Sequence, residues 1–135
     1  NRNLFWHFPH YTNQGSRPSG AMRDDNCMLV EFFDDEAVEL YDLNNDIRQT
    51  QNMAAQQPDR VVKMHAALAA WRKEVNAQGN TPNPDYVEAK YRELYADVDA
   101  SLFEPLKADR TQWEKMWGWR EAVNEVLPRA RKPKP

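Results

Sequence analysis

The sequence has one cysteine, Cys27, so no internal disulfide can form and cysteine usage leaves the redox compartment open. Histidine is scarce as well: His7, His10 and His65 are the full set. A zinc site takes three or four ligands, so the His7-x-x-His10 pair cannot complete one without distant help. No apolar run approaches the roughly 20 residues that a membrane-spanning helix requires. Basic residues are not in excess, with 18 Lys and Arg against 21 Asp and Glu and a formal net charge of −3. That balance gives no electrostatic case for nucleic acid or an anionic membrane as partner. No signal peptide is visible, because Asn1 leads directly into a strand pattern, and so abrupt a start suggests a piece of a longer protein. A complete nucleophile–base pair is also missing, which argues against a stand-alone hydrolase.

What is present suits one modest globular domain: 135 residues, 41% hydrophobic and 29% charged. Short apolar or alternating runs separated by turn residues extend to about Leu43 and predict strands. Leu4-Phe5-Trp6-His7-Phe8 is the first. A polar loop with Gly15, Pro18 and Gly20 leads to Ala21-Met22-Arg23 and then to Met28-Leu29-Val30-Glu31-Phe32-Phe33. That run is almost continuously apolar apart from Glu31, which predicts a strand covered on both faces. The Asp34-Asp35 turn predicts a hairpin into Val38–Leu43, with Val38, Leu40 and Asp42 on one side and Glu39, Tyr41 and Leu43 on the other.

A helix follows. Pro58 suits a first helical turn, and Val61, Met64, His65, Leu68, Trp71, Arg72 and Val75 recur at helical spacing up to Gln78-Gly79-Asn80. Further on, Asp85 with Glu88 resembles a capping box ahead of a stripe formed by Val87, Tyr91, Leu94, Tyr95 and Val98. Thr111 with Glu114 gives a second N-terminal signal before Trp113, Met116, Trp117, Val123 and Leu127. The expectation is an α+β fold: a small antiparallel, hairpin-rich β-sheet covered by a helix over 1–80, a helical C-terminal extension over 81–128, and a basic disordered tail over 129–135.

The order of these motifs resembles the C-terminal part of the sulfatases, the formylglycine-dependent, arylsulfatase-like sulfate ester hydrolases. In that family's tail an arginine precedes a strand ending in Lys-Leu. A Glu-Leu-Tyr-Asn-Leu strand, an Asp-Pro-Gly-Glu-like turn and an Asn-Leu-Ala helix start come after it. The counterparts here are Arg23, Leu29-Val30-Glu31-Phe32, Glu39-Leu40-Tyr41-Asp42-Leu43, Asp46-Ile47-Arg48-Gln49 and Asn52-Met53-Ala54. Trp6-His7-Phe8-Pro9-His10-Tyr11 and Thr81-Pro82-Asn83-Pro84-Asp85-Tyr86 also look like a branch of the family. The likeness runs from about Leu4 to Tyr86. Cys27-Met28 stands where Trp-Lys is expected, and the turn has lost its proline and glycine.

The resemblance implies a subdomain that caps its own catalytic sulfatase domain and forms one wall of a cleft for a sulfated small molecule or carbohydrate. Calcium and formylglycine would belong to that other domain, with no cofactor in this chain, and the compartment would be periplasmic or secreted. Formylglycine is made within a Cys/Ser-x-Pro/Ala-x-Arg motif. Cys27 fails it, and Ser19-Gly20-Ala21-Met22-Arg23 fits it only by letter, since it leads into a hairpin where the family has a helix. The acidic groups Asp24-Asp25, Asp34-Asp35-Glu36 and Asp42–Asp46 read as turn formers, without the glycine and terminal glutamate of a calcium loop. The substrate-binding candidates are His10, His7 and Arg17: imidazoles that can donate to a sulfate or sugar hydroxyl, and a guanidinium suited to oxyanions. Trp113 and Trp117 read as packed and Trp119 as exposed. The alternative is an independent protein-interaction or ligand-binding module, using the aromatic strand and the Trp-rich helix; a surface apolar patch of Phe5, Trp6 and Phe8 would favour the detached subdomain instead.

Overall fold

Turn residues punctuate the first forty positions closely enough that each apolar run becomes one strand. In the computed structural model, which describes residues 2–12, 15–98 and 100–126, these are β1 (Leu4–Phe8), β2 (Ser19–Asp24), β3 (Cys27–Phe32) and β4 (Val38–Asp42). They form one antiparallel sheet in the order β1-β2-β3-β4. The β2–β3 hairpin turns on Asp25 and Asn26, with Asp25 at φ 54°, a region that Asp tolerates better than most side-chain-bearing residues. In the β3–β4 turn the Ala37 N–H donates to Asp35 Oδ1 (3.0 Å), and Phe32 N–H to the Ala37 carbonyl (2.9 Å).

α1 (Pro58–Glu74) covers one face of the sheet. Pro58 sits in its first turn, as expected. The register aligns Phe5, Met22, Leu29 and Leu40 across the four strands, and this row meets Met64 and Leu68 of α1. Leu29, Leu40 and Leu68 are fully buried. Each such side chain contributes about 1.5–3 kcal/mol of apolar transfer. Phe5 stacks on Trp71 at 5.0 Å between centroids, so it belongs to this core and not to a surface patch with Trp6 and Phe8. Past β4, the chain folds back along the sheet's edge: Met53 N–H donates to the Leu40 carbonyl (2.8 Å) and Leu40 N–H to Asn52 Oδ1 (3.1 Å).

β3 departs from expectation. It is not covered evenly, because Cys27, Leu29 and Glu31 face α1 and are buried while Met28, Val30 and Phe32 are half-buried on the other side. α1 also ends earlier than Gln78. Asn76 adopts φ 51°, Ala77 N–H reaches back to the Arg72 carbonyl (2.9 Å) and Asn76 N–H to that of Lys73 (3.2 Å). That is a Schellman ending, with asparagine in the left-handed position.

By internal contacts the chain divides into two compact units, one from residues 1–10 and 17–81 and the other from 11–16 and 82–135. In the second, α2 (Glu88–Tyr91) runs into a π-helical turn at Arg92–Ala96, followed by a 3-10 turn (Ala100–Leu102) and α3 (Arg110–Val126). Tyr11 packs on Tyr95 at 4.5 Å, and Tyr91 on Tyr86 and Tyr95 at 6.0 and 6.3 Å. Asp85 and Glu88 form no capping box: α2 begins after Val87 without a side-chain cap. α3 is capped by Asp109 and Gln112, each accepting the other's N–H (2.8 and 2.9 Å), two residues ahead of the expected Thr111 and Glu114. Its buried face carries Trp119 and Val123; Trp119 Nε1–H donates to the Leu94 carbonyl (2.9 Å), and Trp117 is exposed. Helical spacing in the sequence predicts the reverse for Trp117 and Trp119. Leu127 and the basic segment 129–135 lie outside the described residues. Among those described, no helix is long and apolar enough to cross a membrane.

Candidate functional site

Strand alternation puts Glu31 on the side of β3 that faces α1, two residues from fully buried Leu29. A carboxylate taken out of water needs charge partners and hydrogen bonds. Glu31, with its side chain 6% exposed, has both: His65 Nε2 lies 2.7 Å from Oε2, and Arg72 Nη1 contacts Oε1. His65 and Arg72 are seven residues apart, two turns of α1, and so project from one face toward the same strand. Burial pulls the Arg72 guanidinium below its usual value.

The opposing strand makes room for this group. Gly20 on β2 pairs with Glu31. A Cβ at that position would stand 2.5 Å from Glu31 Oε1 and 3.2 Å from the Phe33 ring. The Arg72 guanidinium lies 5.2 Å from the centre of that same ring.

His7 belongs to the same cross-strand row, His7–Gly20–Glu31–Val38. Its Nε2 lies 2.8 Å from the Gln78 carbonyl. A carbonyl only accepts, so Nε2 carries the donated proton. Nδ1 is buried and has no hydrogen-bond partner. The ring rests 5.4 Å from Phe33.

Together these groups line a cleft of about 740 Å³, floored by the sheet and rimmed by Lys73 and the segment from Asn76 to Asn80. Such a volume is within the range of roughly 300–1,000 Å³ of ligand sites. The Glu31–His65 pair resembles the carboxylate–imidazole couple that orients a general base. Among the described residues, no serine, threonine or cysteine lines the cleft.

Of the three substrate-binding candidates, His10, His7 and Arg17, His7 lines this cleft and the other two do not. His10 is exposed beyond the end of β1, its ring edge-on to Phe8 at 5.7 Å. Arg17 sits over Phe32 at 4.4 Å, with Nη2 2.6 Å from Asp34 Oδ1 and 2.5 Å from Asp35 Oδ2. The structure therefore does not bring the three together. Glu31, His65 and Arg72 were missed as a site. The available signal was one acid interrupting an apolar strand, together with a histidine and an arginine inside an otherwise apolar helical stripe.

Ser19 starts β2, so the Ser-x-Ala-x-Arg match is a strand in a hairpin. Cys27 is buried, which pushes its thiol up and away from a reactive thiolate. Asp42 and Asp46 serve turns: Asp42 accepts the Asn44 N–H (3.0 Å), and Asp46 accepts those of Thr50 and Gln51 (2.7 and 2.8 Å). Those two N–H groups hold the exposed Asp46 carboxyl below its ordinary value. Among the described residues no three His, Cys, Asp or Glu side chains converge as a metal site would need.

No protein-family model matches the chain. It is similar to a protein named Sulfatase from Formosa agariphila, with 34% identity over 84 residues. The match takes in 55% of this chain and 15% of that protein, so the chain corresponds to only a small part of its relative's length.

Proposed function

We propose that the chain is the C-terminal part of an arylsulfatase-like enzyme that hydrolyses sulfate esters, probing the sugar end of a sulfated carbohydrate while another domain performs the chemistry. The observation that carries this reading is the likeness to the Formosa agariphila protein across a stretch that is a minor share of its length. The motif order from Leu4 to Tyr86 supports it. Formylglycine, as nucleophile, and calcium, which neutralises the sulfate oxygens, belong in this reading to the catalytic domain. The compartment would be periplasmic or extracellular.

The sheet face turned away from α1 supports docking onto that domain. Trp6 and Phe8 remain 45% and 43% exposed there, and Val30 and Phe32, two strands away on the same face, are half-buried. Apolar surface left open in this way marks an interface more often than a free surface. In the assembled enzyme His10, at the end of the same strand, and His7, in the cleft, are the side chains proposed to reach the substrate.

The test is the coding sequence itself. The reading frame upstream is expected to encode a Cys/Ser-x-Pro/Ala-x-Arg motif and a set of metal-binding aspartates. A frame without any catalytic domain would overturn the proposal and favour an independent interaction module. In the full-length enzyme, His10→Ala is expected to raise KM or lower kcat beyond any effect on folding.

A further inference from the structure

The cleft over β3 has a donor and acceptor pattern more specific than a helix–sheet clamp requires. Its ionised groups balance: Glu31 and Glu36 against Arg72 and Lys73. The Arg72 charge is already opposed by Glu31. The C-terminal end of α1, which carries the helix's partial negative charge, lies on the same rim. A strongly anionic ligand would find no unopposed field here, and a cation none either. An apolar ligand would leave polar groups unsatisfied.

Hydroxyl groups fit instead, because each both donates and accepts. Arg72 spends one N–H of its five on Glu31, and Glu31 spends two of about four lone-pair positions on His65 and Arg72. The second nitrogen of His65, whose side chain is 45% exposed, and the side-chain amides of Asn76, Gln78 and Asn80 complete the rim. Phe32, Phe33 and Val38 give one apolar wall against which C–H groups can lie. Several fixed donors and acceptors, one apolar wall, balanced charge and space for more than one ring describe a saccharide site.

We infer that this cleft binds an uncharged pyranose unit of a carbohydrate, holding its hydroxyls between Glu31, Arg72 and His65 and, at the rim, Lys73 and Gln78. The inference rests on the proposed function only for connecting that sugar with a sulfate ester, since binding itself needs no catalytic domain. Glu31 is held rigidly by its two partners, so the acceptor is preorganised and little side-chain entropy is lost when a hydroxyl arrives.

The test is a titration of the ¹⁵N-labelled 135-residue chain with D-glucose, D-galactose, D-mannose, D-xylose and L-rhamnose, one at a time, with sodium sulfate as a separate titrant. At least one pyranose is expected to shift the amides of residues 31, 65, 72 and 76–80 and leave those of α3 unmoved. Lys73→Ala combined with Gln78→Ala alters the rim and spares both the Glu31 partners and the Gln78 main-chain carbonyl that holds His7. This variant is expected to keep the parent's unfolding midpoint and to weaken sugar binding about tenfold, as expected for one lost charge-assisted hydrogen bond. Three results would each overturn the inference: no pyranose shifting the cleft amides, sulfate alone shifting them, or the double variant binding as well as the parent. None of them bears on the upstream reading frame, so failure here is distinguishable from failure of the sulfatase reading.

Discussion

Gly20 and Glu31 face each other across β2 and β3, and the Glu31 carboxylate occupies the space that a side chain at Gly20 would need. A flexible glutamate would ordinarily swing aside at small cost. This one is tied to His65 and Arg72, so displacing it breaks two contacts inside a buried environment. Gly20→Ala is therefore expected to lower stability by about 1–3 kcal/mol, the usual penalty of overpacking. Urea unfolding followed by tryptophan fluorescence measures it, and an unchanged midpoint would show that the carboxylate is free to move.

The clamp also makes a prediction about its partners. Glu31→Ala leaves the Arg72 guanidinium, with a side chain only 24% exposed, without its counter-charge. Breaking a buried pair from one side costs about 3–5 kcal/mol, whereas replacing both members by apolar groups is often close to neutral. The double variant Glu31→Leu, Arg72→Met is thus expected to be more stable than Glu31→Ala alone. A double variant less stable than Glu31→Ala would mean that the pair does more than neutralise itself.

Tyrosine ionisation gives a pH test. Burial, together with the Glu39 carboxylate that accepts the Tyr41 hydroxyl (2.7 Å), pushes Tyr41 far above its usual value; burial also raises Tyr95. A folded-state value raised above the unfolded one means stability that is intact below the unfolded pKa, about 10, and lost as pH climbs toward the folded value. Ultraviolet titration should show Tyr41 and Tyr95 ionising only at higher pH, together with unfolding. Tyr41→Phe should remove one tyrosine from the late-ionising set. Five tyrosines titrating together in the folded chain would contradict the Tyr41 environment.

α3 separates two tryptophans that look equivalent in sequence. Trp119 donates to the Leu94 carbonyl from a half-buried position, while Trp117 is 62% exposed. Trp119→Phe is expected to cost about 1–2 kcal/mol through the orphaned carbonyl and lost contact. Trp117→Phe should stay within about 0.5 kcal/mol, as surface changes do. Thermal unfolding of the two variants orders them directly.

Sequence made much of the first unit legible because its signals are local. Alternation and turn residues marked the strands, and Pro58 with the Val61–Trp71 stripe marked α1. Where tertiary contacts decide, local reading failed. Phe5 looked like its neighbours Trp6 and Phe8, but strand parity sends it under Trp71. Asp85 and Glu88 have capping-box spacing, yet the Asp85 N–H is engaged with Asn83 Oδ1 in a turn outside the helix. In α3 the buried stripe follows Met116, Trp119 and Val123 because Leu94 lies against that side; nothing in the helix alone says so. The cleft was half visible. His7 was named, but Glu31, His65 and Arg72 stand in separate elements, and only strand register combined with helix phase brings them together.

The most direct test of the account is release of inorganic sulfate from sulfated carbohydrates, measured by ion chromatography with calcium present. The purified 135-residue chain is assayed beside the product of its whole reading frame. The account predicts sulfate release by the long product and none by the chain alone. Release by the chain alone, or none from the long product on any sulfate ester, would contradict it.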